Sequence, residues 1–349
     1  MKVGIVCPYD WSYHGGVKSH IQGLSAALRR RGVEVQIIAP ATKNEPEIFD
    51  AGRTLAIPYN GSTARLCFSP QANRRIRKRL AQGDIDLLHV HEPFSPSVSM
   101  LAVHQARMPV VATFHASAVK SKAYATAKPF LELLMEKISG RITVSKAALA
   151  LVSGYFPGEY RNIPNGINFS HFAEAAPAEG LAAGRPFVLF VGRPEPRKGL
   201  NIAVEAVQKV RESHPIEMVA VGPTPKEVPA WVHALGPVAQ EELPGIYRAA
   251  KVFCAPSISG ESFGIVLAEA AAAGVPVVCS DLPGYVEAAA GMALHAPVGD
   301  VAGTASMILS VLTDPDRAAR MVARGRKRAL QLDWDNLAAE IVEVYEAAL

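Results

Sequence analysis

The chain has 349 residues, of which 49% are apolar and 19% charged, and its formal net charge is +4. This length predicts two α/β domains rather than one core, and this composition excludes extensive disorder. Residues 1–170 contain 21 Lys and Arg against 11 Asp and Glu, so the basic character belongs to the first half. No apolar run approaches the roughly 20 residues of a membrane-spanning helix. The four cysteines form no C-x-x-C pair, which favours free thiols in a reducing cytoplasm over disulfides or a zinc site.

Strand and helix patterns alternate along the first half. An apolar strand at residues 3–7 is followed by the turn Gly15-Gly16 and by apolar residues at helical spacing over residues 17–28. Parallel sheets bring the polar ends of such strands together, and ligands bind there. Further buried strands are predicted at residues 35–38, 85–90 and 110–114.

The pattern pauses and then restarts in the second half. The pause lies near Asn165-Gly166 and through an Ala-, Glu-, Gly- and Pro-rich stretch at residues 174–186, which is typical of a linker. Strands follow at residues 187–191, 217–221, 252–255 and 275–279, and residues 334–349 form an amphipathic helix. We therefore expect an α/β fold of two Rossmann-like, doubly wound domains, residues 1–170 with the final helix and residues 171–333, facing each other across a deep cleft.

The first glycine pair follows a strand and opens a helix. Gly15 and Gly16 allow the backbone to approach a phosphate at the positive end of that helix. A dinucleotide-binding loop is disfavoured, because the G-x-G-x-x-G spacing is absent and the second strand ends without an acidic residue for a ribose. A glycine pair required only for a tight turn is the alternative.

A basic loop at residues 192–199, GRPEPRKG, lies between a strand and a helix of the second half. A diphosphate needs cations that neutralise it and the charge that develops on it as it leaves. Arg193 and Lys198 fit that task, and a solvated basic turn is the alternative.

The strongest pattern is GESFGIVLAE at residues 260–269. Its small residues expose backbone amides at the start of an apolar helix, where phosphate or sugar oxygens bind. Glu261 and Glu269 lie eight residues apart, and a carboxylate oxygen pair accepts hydrogen bonds from a hydroxyl-rich ligand. Glu269 lies among apolar residues and therefore needs a partner, such as a ribose diol, whereas a lone Glu at a helix start is often only a cap.

Together these motifs resemble retaining glycosyltransferases of family 4, which have the GT-B fold. The resemblance rests on E-x7-E at Glu261 and Glu269, on the loop at residues 192–199, on Gly15-Gly16 and on P-N-G-I at residues 164–167. It covers nearly the whole chain, including the final helix, which in such enzymes crosses back onto the first domain. The donor-binding residues that it implies are Gly15, Gly16, Arg193, Lys198, Glu261, Phe263, Gly264, Ile265, Val266 and Glu269.

A narrower set of motifs resembles the phosphatidylinositol mannosyltransferases, which transfer mannose from GDP-mannose to the inositol of a membrane lipid. The set comprises CPY at 7–9, PYNGS at 58–62 with Arg65, HVHEP at 89–93, TFH at 113–115 and Lys120. By this resemblance His115 lies beside the reacting sugar and joins Glu261, Arg193 and Lys198 as a catalytic residue. The implied acceptor-binding residues, around an inositol phosphate, are Tyr9, Asn60, Ser62, Arg65 and Lys120.

The same resemblance predicts the partners. The co-substrate is a nucleotide sugar, GDP-mannose in the first instance, and no cofactor is bound tightly. Donor binding requires no metal, because cationic side chains neutralise the diphosphate. We expect a monomer in the cytoplasm that binds an anionic phospholipid at the inner face of the plasma membrane. Nucleic acid is not an expected partner, since no aromatic stacking platform is evident.

Residues 69–83 predict a basic helix that contains no acidic residue and begins with a cap at Ser69. Ile76 and Leu80 form a small apolar stripe on it. Each cation near an anionic membrane contributes about 1 kcal/mol, so we predict that this helix binds a membrane surface. A solvated helix on a basic domain is the alternative. The cations are Arg74, Arg75, Arg77, Lys78 and Arg79.

Two patterns imitate metal sites. His89, His91 and Glu92 end a predicted strand, so the two histidines point to one side and Glu92 to the other. Asp84-Ile85-Asp86 imitates a D-x-D motif, but it lies at the start of a strand, away from the binding ends. The sequence therefore predicts no metal site.

Residues 236–243, GPVAQEEL, depart from the acidic residue and the lysine that the mannosyltransferases are expected to place near the guanine. Gln240 and Leu243 take those places, and Glu241 substitutes for the acid if the loop shifts by one residue. A UDP-sugar donor, or another glycolipid or cell-wall acceptor, is the alternative within the family. From other classes, the alternatives are a nucleotide-sugar epimerase and a non-catalytic nucleotide-binding membrane adapter.

Overall fold

The computed structural model describes residues 1–13, 15–59, 62–116 and 121–349, with the backbone alone at residues 58, 59, 62 and 63. The chain divides into two compact units. The N-terminal unit comprises residues 1–166 and 334–349, and the C-terminal unit comprises residues 167–333. Within the described ranges, no helix is both long enough and apolar enough to cross a membrane.

The strands account for the sheets of both units. In chain order they are β1 (Lys2–Val6), β2 (Glu34–Ala39), β3 (Ile48–Asp50), β4 (Leu55–Tyr59), β5 (Ser62–Leu66), β6 (Leu87–His91), β7 (Val110–Phe114), β8 (Ile138–Thr143), β9 (Arg161–Asn162), β10 (Phe187–Val191), β11 (Glu217–Val221), β12 (His233–Gly236), β13 (Val252–Ala255), β14 (Val277–Ser280) and β15 (Leu294–Ala296).

The helices flank these sheets. In chain order they are α1 (Gly16–Arg30), α2 (Pro70–Leu80), α3 (Val98–Gln105), α4 (Lys122–Met135), α5 (Lys146–Tyr155), α6 (Phe169–Ala173), α7 (Leu200–Arg211), α8 (Leu243–Ala249), α9 (Ile265–Ala272), α10 (Pro283–Ala289), α11 (Val301–Leu312), α12 (Pro315–Gln331) and α13 (Trp334–Ala348).

Each unit is built around one parallel sheet. The strand order is β3-β2-β1-β6-β7-β8-β9 in the N-terminal unit and β12-β11-β10-β13-β14-β15 in the C-terminal unit, and β4 and β5 form a separate antiparallel hairpin. Both faces of each sheet are covered. In β1, for example, Val3 and Ile5 belong to one buried cluster and Val6 to another. The predicted α/β fold of two doubly wound domains is confirmed.

The last helix belongs to the N-terminal unit. Trp334 at the start of α13 is buried, and its indole lies against Gly23 of α1 and against Gly166. A Cβ atom on Gly23 would lie 2.0 Å from the indole nitrogen. Farther along the same helix, the buried Tyr345 reaches β6. These contacts fix α13 on the unit that contains the chain's first residues.

The stretch at residues 174–186 does not connect the two units, which corrects the expectation of a linker there, whereas Asn165-Gly166 lies where the N-terminal unit ends. The stretch lies wholly inside the C-terminal unit, where Ala178 donates its amide hydrogen to the Gly245 carbonyl and Ala182 is buried in the core. The chain passes between units at Gly166 and again at Asp333. This stretch is rich in small residues because it packs closely on α8, at Gly245.

Two helical glycines provide a matched test of the α13 contact. Gly23→Ala forces the Trp334 indole to move, and such overpacking costs about 1–3 kcal/mol of unfolding free energy. Gly154→Ala, on the exposed side of α5 with open space around it, is expected to stabilise by about 0.5 kcal/mol. Urea denaturation followed by tryptophan fluorescence in a Trp231→Phe background reports on Trp11 and Trp334. Equal effects of the two substitutions would contradict the packing described.

Candidate active site

The basic loop of the C-terminal unit is held by close backbone packing. It follows β10 and ends at Gly199, whose φ is +71°. A Cβ atom there would lie 2.0 Å from the Pro256 carbonyl oxygen, so the contact requires glycine. Pro256 directly follows β13, and the Ile258 amide donates to the Arg197 carbonyl. The loop at residues 192–199 is therefore fixed against the segment that leads to Glu261.

Glu261 forms ion pairs with two cations of this loop. Its Oε1 atom accepts hydrogen bonds from Lys198 Nζ at 2.6 Å and from Arg197 Nη1 at 3.0 Å, and only 10% of its side chain is exposed. Arg197 also pairs with Glu195 at 2.7 Å. Arg193 contacts Glu195 at 3.1 Å, but 63% of its side chain remains exposed. Three cations thus face two carboxylates, which leaves a local excess of positive charge.

Arg197 is the residue of this site that sequence reasoning missed. Arg193 and Lys198 were predicted as the ligands from a loop with three cations, and the structure places Arg197 between Glu195 and Glu261. A local signal existed, because Arg197 directly precedes Lys198. Sequence spacing alone did not show which of the three side chains turns toward Glu261.

Glu269 lies on α9 in a mostly buried setting. Its Oε2 atom accepts a hydrogen bond from the Tyr247 hydroxyl at 3.1 Å. Burial raises the pKa of Glu269 to about 7, while the Tyr247 hydrogen bond and the charge of Lys198 act in the opposite direction. Near neutral pH the carboxyl is therefore divided between its two protonation states. It can both donate to and accept from a diol.

The residues between the two carboxylates form a tight turn and a helix start. Gly264 has a φ of +86°, and a Cβ atom there would enter the Tyr285 ring. Phe263 is buried, so its side chain belongs to the core and only its backbone remains for a ligand. Ile265 and Val266 open α9, whose first amide groups have no partner within the helix.

An open cavity of about 670 Å³ lies near the end of β12. Its walls come from residues 175–181 and from the loop that follows Gly236, including Pro237, Val238 and Glu241. Glu242 is engaged locally, because its Oε2 atom accepts the Ala239 amide at 3.0 Å. Glu241 is exposed in the cavity wall, where it can reach a ligand.

The N-terminal unit gathers imidazoles at the ends of β6 and β7. His89 hydrogen-bonds to the Tyr345 hydroxyl and to Thr113, each at 2.7 Å. His91 Nδ1 lies 2.9 Å from His115 Nε2, and the rings of His89 and His91 share one side with centroids 4.4 Å apart. Burial lowers the pKa of His89 to about 3 and holds the pKa values of His91 and His115 well below their usual range. These rings are therefore neutral at pH 7.

Glu92 holds the segment that carries His115. Its Oε1 atom accepts the backbone amides of His115 and Ala116, both at 2.6 Å, and its own φ of +47° is unusual for this residue. Burial raises the pKa of Glu92 to about 6. In the sequence, Glu92 belonged to an apparent metal pattern and to the HVHEP motif, and neither pattern revealed this positioning contact.

The predicted acceptor residues are only partly described. The hairpin of β4 and β5 brings Arg65 close to Tyr9, because the Asp10 amide donates to the Arg65 carbonyl and Tyr9 pairs with Leu66. The Arg65 guanidinium lies 4.1 Å from the centre of the Tyr13 ring. Gly15 caps α1 and Gly16 begins it. Asn60, Lys120 and the Ser62 side chain lie outside the described residues.

The helix α2 presents a basic surface, but Arg79 is not part of it, which corrects the sequence-based prediction. The Arg79 side chain is 3% exposed, donates to Gln36 and pairs with Asp84 at 2.6 Å. It lies on the inward side with Ile76 and Leu80, which are buried in the core instead of facing a membrane. The exposed cations are Arg74, Arg75, Arg77 and Lys78.

Three exposed apolar residues precede this helix in the chain. Leu55 and Ile57 lie on β4 and are 75% and 44% exposed, and Phe68, two residues before α2, is 58% exposed. Their exposure was not predicted, because alternation along a short hairpin does not reveal which side is left uncovered.

Two family models and several known enzymes match this chain. The profile described as Glycosyltransferase Family 4 matches residues 14–171, and Glycosyl transferases group 1 matches residues 172–328. A phosphatidyl-myo-inositol mannosyltransferase of Mycolicibacterium smegmatis is 39% identical, with 99% of this chain and 94% of that one covered. One of Propionibacterium freudenreichii is 33% identical, with 100% and 95% covered.

Solved structures show the same fold. A sucrose-phosphate synthase from Thermosynechococcus elongatus has a TM-score of 0.76 at 22% identity, with 99% of this chain and 98% of that one covered. A glycosyltransferase from Rickettsia africae has a TM-score of 0.79 at 16% identity, with 99% and 97% covered. The chain thus has the fold of the GT-B glycosyltransferases. It belongs to glycosyltransferase family 4, as the sequence analysis predicted.

The neutral histidines predict a specific pH dependence. The pKa of His89 is lowered, so the unfolded chain binds its proton first and stability falls as the pH drops from about 6.5 toward 3. Between pH 7 and pH 5, we expect wild-type stability to fall by about 2 kcal/mol more than that of His89→Gln. Tryptophan fluorescence in a Trp231→Phe background measures the N-terminal unit. Parallel pH profiles for the two proteins would rule out a buried neutral His89.

Proposed function

We propose that this glycosyltransferase moves mannose from GDP-mannose to the inositol of phosphatidylinositol, with retention of the anomeric configuration, at a membrane surface. The observation that carries the donor assignment is the cluster of Arg197 and Lys198 on Glu261 in the C-terminal unit. The names of relatives 33–39% identical over nearly the whole chain support the sugar and the acceptor.

The diphosphate is the ligand that this cluster fits. Lys198 and Arg197 are already held in place by Glu261, so little side-chain entropy is lost when a phosphate replaces the carboxylate as their partner. Arg193 is mostly exposed and can close on the ligand. Cations placed before the reaction stabilise the charge that develops on the leaving diphosphate. Glu261, displaced from the cations, becomes available to the sugar hydroxyls.

The nucleoside has two contact regions in this proposal. Glu269, with a pKa near neutrality, binds the ribose diol. The guanine edge pairs with Glu241 in the wall of the cavity beyond β12, because one carboxylate can accept two N–H groups. Uracil offers a single N–H donor on its pairing edge, so Glu241 favours guanine. This role for Glu241 replaces the acidic residue expected at Gln240.

Retention is explained by attack of the acceptor hydroxyl on the face from which the diphosphate departs. The departing phosphate takes the hydroxyl proton, so no covalent enzyme nucleophile is required. His115 contacts the sugar as a neutral imidazole, held by Glu92 through its backbone amide. A neutral ring donates or accepts a hydrogen bond without adding charge beside the developing oxocarbenium ion.

The N-terminal unit supplies the acceptor site. Arg65, stacked on Tyr13 and joined to Tyr9 by the hairpin, provides a cation for the phosphodiester of the lipid. The exposed Arg74, Arg77 and Lys78 attract an anionic surface, and the uncovered apolar side chains of β4 can enter its interfacial layer. The enzyme therefore acts as a peripheral protein on a cytoplasmic membrane face.

A transfer assay tests the donor and the acceptor together. GDP-mannose, UDP-glucose and ADP-glucose are each incubated with phosphatidylinositol liposomes, and the lipids are analysed by mass spectrometry. We expect one hexose to be added from GDP-mannose, and a fall of at least about 100-fold in kcat for Lys198→Ala, the size of losing one transition-state cation. The exposed Lys209→Ala on α7 is the matched control.

Each unfavourable outcome of that assay has a distinct meaning. Transfer from UDP-glucose alone would contradict the assignment of guanine as the donor base, but not the assignment of the chain to its glycosyltransferase family. Interconversion of a free nucleotide sugar without lipid product would favour an epimerase. Nucleotide binding with neither reaction would favour an adapter protein.

Membrane binding is tested by charge removal with a matched control. Replacing Arg74, Arg77 and Lys78 by Gln removes about 1 kcal/mol of electrostatic attraction per residue, or about 3 kcal/mol in all. The affinity for phosphatidylinositol-containing vesicles, measured by co-sedimentation, should therefore fall by about 100-fold. The control neutralises three exposed cations of α12 in the C-terminal unit, namely Arg320, Arg324 and Lys327. An equal loss of vesicle affinity in both variants would show that only net charge matters and would contradict a specific role for α2.

A further inference from the structure

Three histidines from separate segments converge at the strand ends of the N-terminal unit. His20 lies on α1, His91 ends β6 and His115 follows β7. One ring nitrogen from each can be chosen so that the three lie within 4.8 Å of one another. The three histidines lie far apart in the sequence, so this set is formed only by the fold.

Two nitrogens of this set are buried without a partner. Within the described ranges, His20 Nε2 and His91 Nε2 have no hydrogen-bonding group, although both side chains are more than nine-tenths buried. Leaving a buried polar atom unsatisfied is unfavourable, so these two nitrogens call for a water, an ion or another ligand. Their positions on neighbouring rings, with centroids 5.1 Å apart, indicate one shared ligand.

The tautomer of His20 favours a cation as that ligand. The Asn165 Oδ1 atom, 2.8 Å from His20 Nδ1, is an acceptor, so Nδ1 carries the proton and Nε2 carries the lone pair. Metal-bound histidines are oriented in this way, by an N–H bond from the second ring nitrogen to an oxygen.

We propose that His20, His91 and His115 bind Zn²⁺, with a water or a substrate oxygen in the fourth position. Three imidazoles are a ligand set that Zn²⁺ accepts in tetrahedral geometry, whereas Mg²⁺ prefers oxygen ligands. Zn–N bonds of about 2.0–2.1 Å place tetrahedral ligands about 3.3 Å apart, so the nitrogens close inward by about 1.5 Å at most.

This site has a regulatory consequence that rests on the proposed function. Because His115 contacts the sugar in the transfer reaction, Zn²⁺ on this ring blocks that contact and inhibits transfer. Removal of the ion by a chelator restores the transfer activity. The pattern of His89, His91 and Glu92 that imitates a metal site in the sequence is a different set of residues. Both ring nitrogens of His89 are engaged in hydrogen bonds, and Glu92 binds backbone amides.

Zinc binding is measured on the full chain by competition with a chromophoric chelator. We expect one Zn²⁺ per chain for wild type and for His104→Gln, an exposed histidine on α3, and at least about 10-fold weaker binding for His20→Gln. Mg²⁺ should not compete. Equal zinc affinity in wild type and His20→Gln would overturn the proposal.

A spectroscopic measurement on the unaltered protein covers the case in which His20→Gln does not fold. Co²⁺ bound to three imidazoles in a tetrahedral site gives intense visible absorption, and Zn²⁺ should abolish it stoichiometrically. The weak spectrum of octahedral Co²⁺ would overturn the site. In the transfer assay, Zn²⁺ should inhibit wild type and spare His20→Gln, so zinc binding without inhibition would contradict the regulatory consequence alone.

Discussion

Burial of both faces of the two parallel sheets is the constraint on which the sites depend. Apolar side chains cover each sheet on either side, as Val3 and Val6 do on opposite sides of β1. Polar groups are therefore concentrated where strands end, and segments far apart in the sequence meet there. In the C-terminal unit this brings the loop after β10 against the segment after β13, with Gly199 packed on Pro256.

Local patterns predicted the fold because it is encoded in short segments, and the candidate donor motif was recognisable for the same reason. Strand and helix periodicity located the sheets, and residues 260–269 carry their glycines and carboxylates within one turn and one helix. The error at Arg79 was also local. Ile76 and Arg79 are three residues apart and so share a helix face, which directs Arg79 inward to Gln36 and Asp84.

What the sequence could not predict depends on contacts between distant segments. The link between Glu261 and Arg197 spans 64 residues, and that between His20 and Asn165 spans 145. Glu92 could not be recognised as the holder of His115, because its role depends on a backbone turn with positive φ. The protonation states also follow from burial, since desolvation is the main cause that shifts Glu269 and the histidines.

The central claim is that Lys198, preset by Glu261, binds the donor diphosphate. Calorimetric titration of GDP, UDP and ADP into wild type, Lys198→Ala and Lys209→Ala tests it without requiring turnover. The account predicts that GDP binds most tightly and that Lys198→Ala weakens it by at least about 10-fold, near the 1.4 kcal/mol of one charge-assisted contact, while Lys209→Ala does not. An unchanged GDP affinity in a folded Lys198→Ala protein would contradict it.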